Sequence, residues 1–139
     1  MNNAATRREH DLLGDIDVPA AAYWGAHTAR ALANFPVTGR TIAELPCLIQ
    51  GLAWVKAAAA AANRQLGLLD EKVADALLRA CAEISAGQWH DQFVVDIMQG
   101  GAGTSTNMNA NEVIANRGWS YSDSTRALTR SSVRMITST

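Results

Sequence analysis

Few residues in this chain announce a function by abundance. It has two cysteines, Cys47 and Cys81, set far apart, which is too few for a disulfide framework and lacks the C-x-x-C spacing of a metal or redox site. Both fall inside helical patterns and are expected as buried structural thiols in a reducing, cytoplasmic setting. His10, His27 and His90 are scattered with no i, i+4 pair, so no structural zinc is expected. Neither charge predominates: 12 Lys+Arg against 13 Asp+Glu leave a net charge of −1, which gives no footprint for nucleic acid or an anionic membrane. No apolar run is long enough for a membrane span, because residues 45–62 are broken by Gln50 and Lys56 and owe their length to alanine. The opening MNNAATRREHD has arginines but no apolar stretch behind them, unlike a secretory leader.

A hydrophobic fraction of 48% with 18% charged residues describes a globular chain. At 139 residues it is one domain at most, with a core that buries roughly two-thirds of the unfolded surface. Residues 1–10 read as a disordered N-terminus. Residues 11–40 read as an irregular arm punctuated by Gly14, Pro19, Gly25, Pro36 and Gly39, with a short helical piece near residues 27–34 and a turn at FPVTG. Pro46 suits the first position of a long helix, where a missing N–H costs nothing. Leu48, Ile49, Leu52, Val55 and Ala59 recur at helical spacing and predict its buried stripe. The alanine run 57–62 makes that helix thin enough for close approach, and Gly67 stops it. Asp70 caps a second helix with Val73, Leu77, Cys81 and Ile84 on one face, ended by Gly87. The pair forms an αα-hairpin. QWHDQFVVDIMQ then reads as extended or irregular, and a third helix is expected behind Asn109 as N-cap, with Glu112 completing an N-x-x-E capping box.

Between these elements lies GGAGTSTNMN, residues 100–109, rich in glycine and hydroxyls with no charged side chain. It is no Walker loop, because Thr104 follows Gly103 where a lysine would be needed. It is no dinucleotide fingerprint, because Thr106 stands where a glycine or alanine belongs. A tight turn that exposes N–H groups, followed by Thr104, Ser105 and Thr106 at a helix N-terminus, favours an anion. Without a cation in the loop, a singly charged carboxylate fits better than a polyphosphate. The same residues also suit a turn that caps its own backbone, and the motif alone leaves both readings open.

DQFVVDIMQGGAGTSTNMNANEVIANRG strongly resembles D-Q-F-P-V-D-x-x-Q-G-G-A-G-T-S-x-N-M-N-x-N-E-V of the aspartase/fumarase superfamily. DLLGDIDVPAAAYWGAHTARALANFPVTG resembles its N-terminal arm, so the resemblance covers residues 9–118. DLLG, His27 and the pair Gly101 and Ala102 take the form of the aspartate ammonia-lyase branch rather than that of class II fumarases. Val94 departs from both, which have proline there, a change expected to leave every donor in place.

The resemblance implies a mainly α fold, the N-terminal domain of that superfamily: arm, αα-hairpin, glycine-rich loop and third helix, without the central helical bundle. It implies reversible loss of ammonia from L-aspartate to give fumarate, with donors matched to a dianionic aci-carboxylate. Thr104 and Ser105 match the family's carboxylate-binding positions, and Asn107 matches an asparagine lining the same site. Arg30 and His27 match active-site neighbours that a structural role would explain as well. The family's base-bearing loop is not in these residues, so no catalytic residue is assigned and the chain alone is expected to be inactive. A small dicarboxylate substrate and a homotetramer are implied. No cofactor is required, and magnesium is an activator in some members.

After Gly118 the texture changes to WSYSDSTRALTRSSVRMITST, dense in serine and threonine. Shifting the reading by one base lets residues 119–122 spell L-E-L-F and 124–129 spell D-K-G-A-Y. It also lets the codons around Met135 spell P-N-D-H-V-N, all three being segments of the family pattern. Residues 11–118 are therefore expected as the lyase domain and 119–139 as an out-of-frame tail. Two alternatives remain: a class II fumarase fragment, and a non-catalytic helical interaction module whose exposed faces would be Leu48/Leu52 and Leu77/Cys81.

Overall fold

A computed structural model describes residues 5–121; the rest of the expected tail lies outside the described residues. The chain begins with an antiparallel hairpin, β1 (Thr6–Asp11) and β2 (Gly14–Pro19), in register Thr6↔Pro19 to Asp11↔Gly14. Over residues 6–10 this corrects the expected disorder, and over residues 14–19 the expected irregular arm. Two-stranded hairpins are marginal alone, and this one gains its stability from tertiary contacts. Val18 is fully buried, and the Arg7 guanidinium donates to the carbonyls of Pro19, Ala20, Ala22 and Trp24. Those partners lie twelve to seventeen residues away, beyond the reach of a local pattern. Helix α1 (Ala26–Asn34) follows, close to the short helical piece expected there.

Helices α2 (Pro46–Gln65) and α3 (Glu71–Ser85) form the predicted hairpin, with Pro46 in the first turn and Gly67 at a φ of +69° after the end of α2. The Asp70 carboxylate accepts from the N–H groups of Lys72 (2.9 Å) and Val73 (3.4 Å), as a helix cap should. On α3 the expected face of Val73, Leu77, Cys81 and Ile84 is buried. On α2 the buried row is Ile49, Ala53, Lys56 and Ala60, and of the expected stripe only Ile49 belongs to it. Leu48 and Val55 are exposed, while Leu52 and Ala59 are half-buried. Small side chains decide this: Ala53 and Ala60 let α3 approach closely, so the larger aliphatics are left on the outer side. The same outcome buries Cys81 as expected, but it leaves Cys47 exposed and removes Leu77/Cys81 from the surface, which corrects two expectations.

Helix α4 (Thr104–Trp119) starts five residues earlier than its expected cap. Asn109 is fully buried within it and bonds tertiary partners instead. Its Oδ1 accepts from Val94 N–H (3.0 Å) and Val95 N–H (3.5 Å), and its Nδ2 donates to the Gln92 carbonyl (3.0 Å). The Val94 N–H is thus a donor that proline would lack, so the substitution does change the bonding at the approach to the loop. Glu112 does not reach back to its own helix. Its carboxylate caps α1 from across the fold, accepting from the N–H groups of Gly25 (2.8 Å), His27 (2.8 Å) and Thr28 (3.1 Å) and from the Thr28 hydroxyl (2.6 Å).

At the far end of α4, Arg117 forks onto Glu83 (2.7 and 3.1 Å) and lies over the rings of Trp89 and Tyr121. The Arg117 guanidinium, despite the cost of burial and with help from Tyr121 and Trp89, holds the Glu83 carboxyl down to about 2. Gly118 lets α4 settle against Ala76 and Leu77 of α3, whose atoms lie 3.4 Å from where its Cβ would stand.

Candidate carboxylate-binding loop

The approach to α4 is assembled by Asp96. Burial opposes its charge, but bonds from Met98 N–H, the Thr38 hydroxyl and N–H, and Gly39 N–H prevail and hold its carboxyl at about 2. The turn FPVTG is thereby tied to the segment before the loop. Gln99 continues the ladder, donating to the Asp96 carbonyl (2.8 Å) and accepting from Thr106 N–H (2.8 Å).

Between Gln99 and Thr106 the backbone takes three successive left-handed residues, Gly101 (φ +77°), Ala102 (+52°) and Gly103 (+84°). For the two glycines this costs nothing, whereas Ala102 carries a Cβ in a region L-residues avoid. Gly100 runs so close to Phe35 that a Cβ would stand 3.2 Å from its ring. This is how α1, which ends at Asn34, meets the loop.

Thr104 is exposed at the head of α4. Its hydroxyl donates to the Gly101 carbonyl (2.6 Å) and its N–H to the same oxygen (3.1 Å). The hydroxyl therefore closes its own turn here, and a carboxylate would have to replace Gly101 as its acceptor. Ser105 and Asn107 are half-buried in the same helical turn. Asn107 also faces α2, where with Cys47, Leu48, Gly51, Leu52, Val55 and Lys56 it lines a groove of about 380 Å³. Lys56 is 3% exposed, and burial pushes its ammonium below the usual range, with Cys81 opposing. The same burial takes the Cys81 thiol up to about 12, which makes it an unreactive core residue.

Among the described residues no hydrogen bond links His27 or Arg30 to Thr104 or Ser105. Arg30 forks onto Asp11 (2.7 and 2.8 Å) and reaches the Gly14 carbonyl (3.1 Å), closing the β-hairpin. His27 is exposed at the start of α1, where its backbone N–H is held by Glu112. Four residues that build the site were not singled out as such: Asp96, Gln99, Asn109 and Lys56. Only Lys56 left a visible signal, as a charge directly ahead of the alanine run of α2. Among the described residues no group of three or more His, Cys, Asp or Glu side chains could hold a metal ion, and no helix is long and apolar enough to cross a membrane.

A family model described as a lyase matches residues 14–134. That match runs past Gly118, so it does not itself mark a break there. The aspartate ammonia-lyase of Pseudomonas fluorescens is 57% identical over 117 residues, which are 84% of this chain and 24% of that protein. The class II fumarate hydratase of Halobacterium salinarum is 57% identical over 111 residues, 80% of this chain and 23% of that protein. A crystal structure of fumarate lyase:delta crystallin from Brucella melitensis superposes with a TM-score of 0.83 at 50% identity, over 84% of this chain and 27% of that one. The chain thus spans about a quarter of the length of the curated relatives it matches.

Proposed function

The chain belongs to the lyase family, and on that premise we propose that it is the N-terminal part of an aspartate ammonia-lyase. Its share of the work is to present the glycine loop that binds a substrate carboxylate. The observation that carries this reading is the loop itself, with left-handed residues 101–103 turning directly into the first helical residue, Thr104. N–H groups and hydroxyls at such a helix head stabilise negative charge without supplying any. An aci-carboxylate that gains charge during proton abstraction profits from them more than the ground state does. Relatives called aspartate ammonia-lyases, 57–58% identical in three Pseudomonas proteins, support aspartate as the substrate. The fumarate hydratase of Halobacterium salinarum, at the same 57%, keeps malate as the second reading.

The remaining parts of the proposal follow from family membership: a cytoplasmic homotetramer, no required cofactor, magnesium as an activator, and a frame break near Gly118. The deciding experiment joins residues 1–118 to the remaining three-quarters of the Pseudomonas fluorescens enzyme and follows fumarate by its ultraviolet absorbance. Fumarate from aspartate but not malate supports the proposal. Fumarate from malate alone selects the second reading, and activity with neither refutes both. Sequencing the gene past Gly118 tests the frame, and an early stop in the shifted frame overturns the break.

A further inference from the structure

The glycine loop has few neighbours to hold it. Residues 101–104 are exposed. Beyond its chain neighbours, a Cβ on Gly103 would have no atom within 4 Å, and one on Gly101 would meet only Thr104 of the same turn, at 3.7 Å. Gly100 is different. Its φ is not positive, unlike those of Gly101 and Gly103, so backbone conformation does not call for a glycine there. What calls for it is Phe35, whose ring carbons Cε1 and Cζ would lie 3.2 and 3.3 Å from a Cβ, closer than carbon atoms pack at their optimum.

Phe35 is itself firmly held. It ends α1, its N–H donating to the Ala31 carbonyl (2.9 Å), and its half-buried side chain packs on the hydrophobic core. The head of α1 is fixed by carboxylates from two other elements. Glu9 of β1 accepts from Ala26 N–H (2.8 Å), and Glu112 of α4 accepts from the N–H groups of Gly25, His27 and Thr28. Just past Phe35, the N–H groups of Thr38 and Gly39 are tied to Asp96 (2.7 and 3.0 Å). Helix α1 is therefore a strut, anchored to α4 at its head and set against the entry to the α4 loop at its tail.

We propose that Phe35 is a positioning residue for the glycine loop: its ring on Gly100 sets where the N–H groups and hydroxyls of residues 101–105 stand when they meet a carboxylate. Phe35 acts through Gly100 and not on the substrate. The inference deepens the reading of the loop as a carboxylate site and rests on it. Donors held in place before the ligand arrives need no ordering when it binds, and affinity gained this way is lost when the support is cut away.

The test is NMR on the full chain, first without ligand and then in a titration with fumarate. The parent is compared with Phe35→Ala, Phe35→Leu, Gly100→Ala and the pair Phe35→Leu/Gly100→Ala. Far-ultraviolet circular dichroism checks folding, and Phe35→Leu carries the comparison if Phe35→Ala does not fold. In the ligand-free chain, Phe35→Ala should raise the fast mobility of amides 100–104 and leave those of α3 unchanged. It should weaken fumarate binding roughly three- to tenfold, and Phe35→Leu should do so less. Gly100→Ala alone crowds the ring. Combined with Phe35→Leu, its methyl enters the space the ring vacates, so the pair should bind more tightly than Phe35→Leu alone. A mere core contact would loosen α3 as much as the loop, and that outcome overturns the proposal. So do loop amides as rigid in the variants as in the parent, an unchanged fumarate affinity, or effects of Phe35→Leu and Gly100→Ala that simply add. No fumarate shift in the parent overturns the carboxylate reading and the role of Phe35 in binding with it. The ligand-free relaxation, read separately, tells that failure from a failure of Phe35 to hold the loop.

Discussion

Replacing Glu112 with alanine removes a side chain that joins the head of α1 to the middle of α4. Its carboxylate accepts three backbone N–H groups and the Thr28 hydroxyl, at 2.6 to 3.1 Å. His27 is exposed, so water can replace the lost partner there at little cost. Gly25 and Thr28 are buried, and each buried donor left unsatisfied costs about 1–3 kcal/mol. Loss of the negative charge at the head of α1 adds roughly 0.3–1 kcal/mol. Glu112→Ala should therefore destabilise the chain by about 3–5 kcal/mol, near the top of what one substitution does. Glu112→Gln keeps an acceptor and should cost roughly a third to a half of that. Urea unfolding followed by circular dichroism gives the difference, and amide exchange at Gly25, His27 and Thr28 against α3 amides gives its location. A loss below about 1 kcal/mol for alanine, smaller than one lost buried hydrogen bond, would refute the tertiary cap. So would exchange that accelerates equally in α1 and α3.

Gly25→Ala should lower stability, because its Cβ would stand 2.6 Å from a Glu9 carboxylate oxygen and 3.1 Å from Glu112 and would push both carboxylates off the N–H groups that they cap; a thermal midpoint equal to the parent's would contradict this. Asn109→Ala leaves Val94 and Val95 N–H and the Gln92 carbonyl without their partner. It should cost about 2–4 kcal/mol in urea unfolding, far above the ~0.5 kcal/mol of a surface change. Asp11, Glu83 and Asp96 have carboxyl pKa values lowered to about 2 in the folded chain. The stability they contribute is present above the unfolded-state carboxyl range and is lost as pH falls through about 2. Unfolding midpoints should drop between pH 5 and pH 2, and Asp96→Asn should flatten that slope; an unchanged slope would remove Asp96 from the account.

How much of this was legible beforehand differs element by element. The α2–α3 hairpin was, because Pro46, Gly67, Asp70 and Gly87 act on their own few residues and α3 has a single apolar stripe. The buried face of α2 was not. Alanine is apolar on every side, so sequence offered two faces and the close approach of α3 chose the one containing Lys56. Asn109 and Glu112 match a capping box in spacing, yet each found stronger partners far away in the chain, seventeen residues back for the Asn109–Gln92 bond and more than eighty for those of Glu112. A local motif states which bonds are possible, and tertiary structure decides which are made.

The same division holds at the loop. From sequence came an uncharged glycine and hydroxyl turn before a helix, suited to an anion or to capping its own backbone, with Thr104 singled out by the resemblance, because glycine conformation and hydroxyl chemistry are properties of the residues themselves. Only the fold decided that the Thr104 hydroxyl rests on Gly101, that Arg30 is spent on the hairpin, and that Lys56 of α2 is buried beside a groove that Asn107 also lines. Those facts depend on which distant elements pack together, and packing is settled by side-chain volume and partner competition over the whole chain.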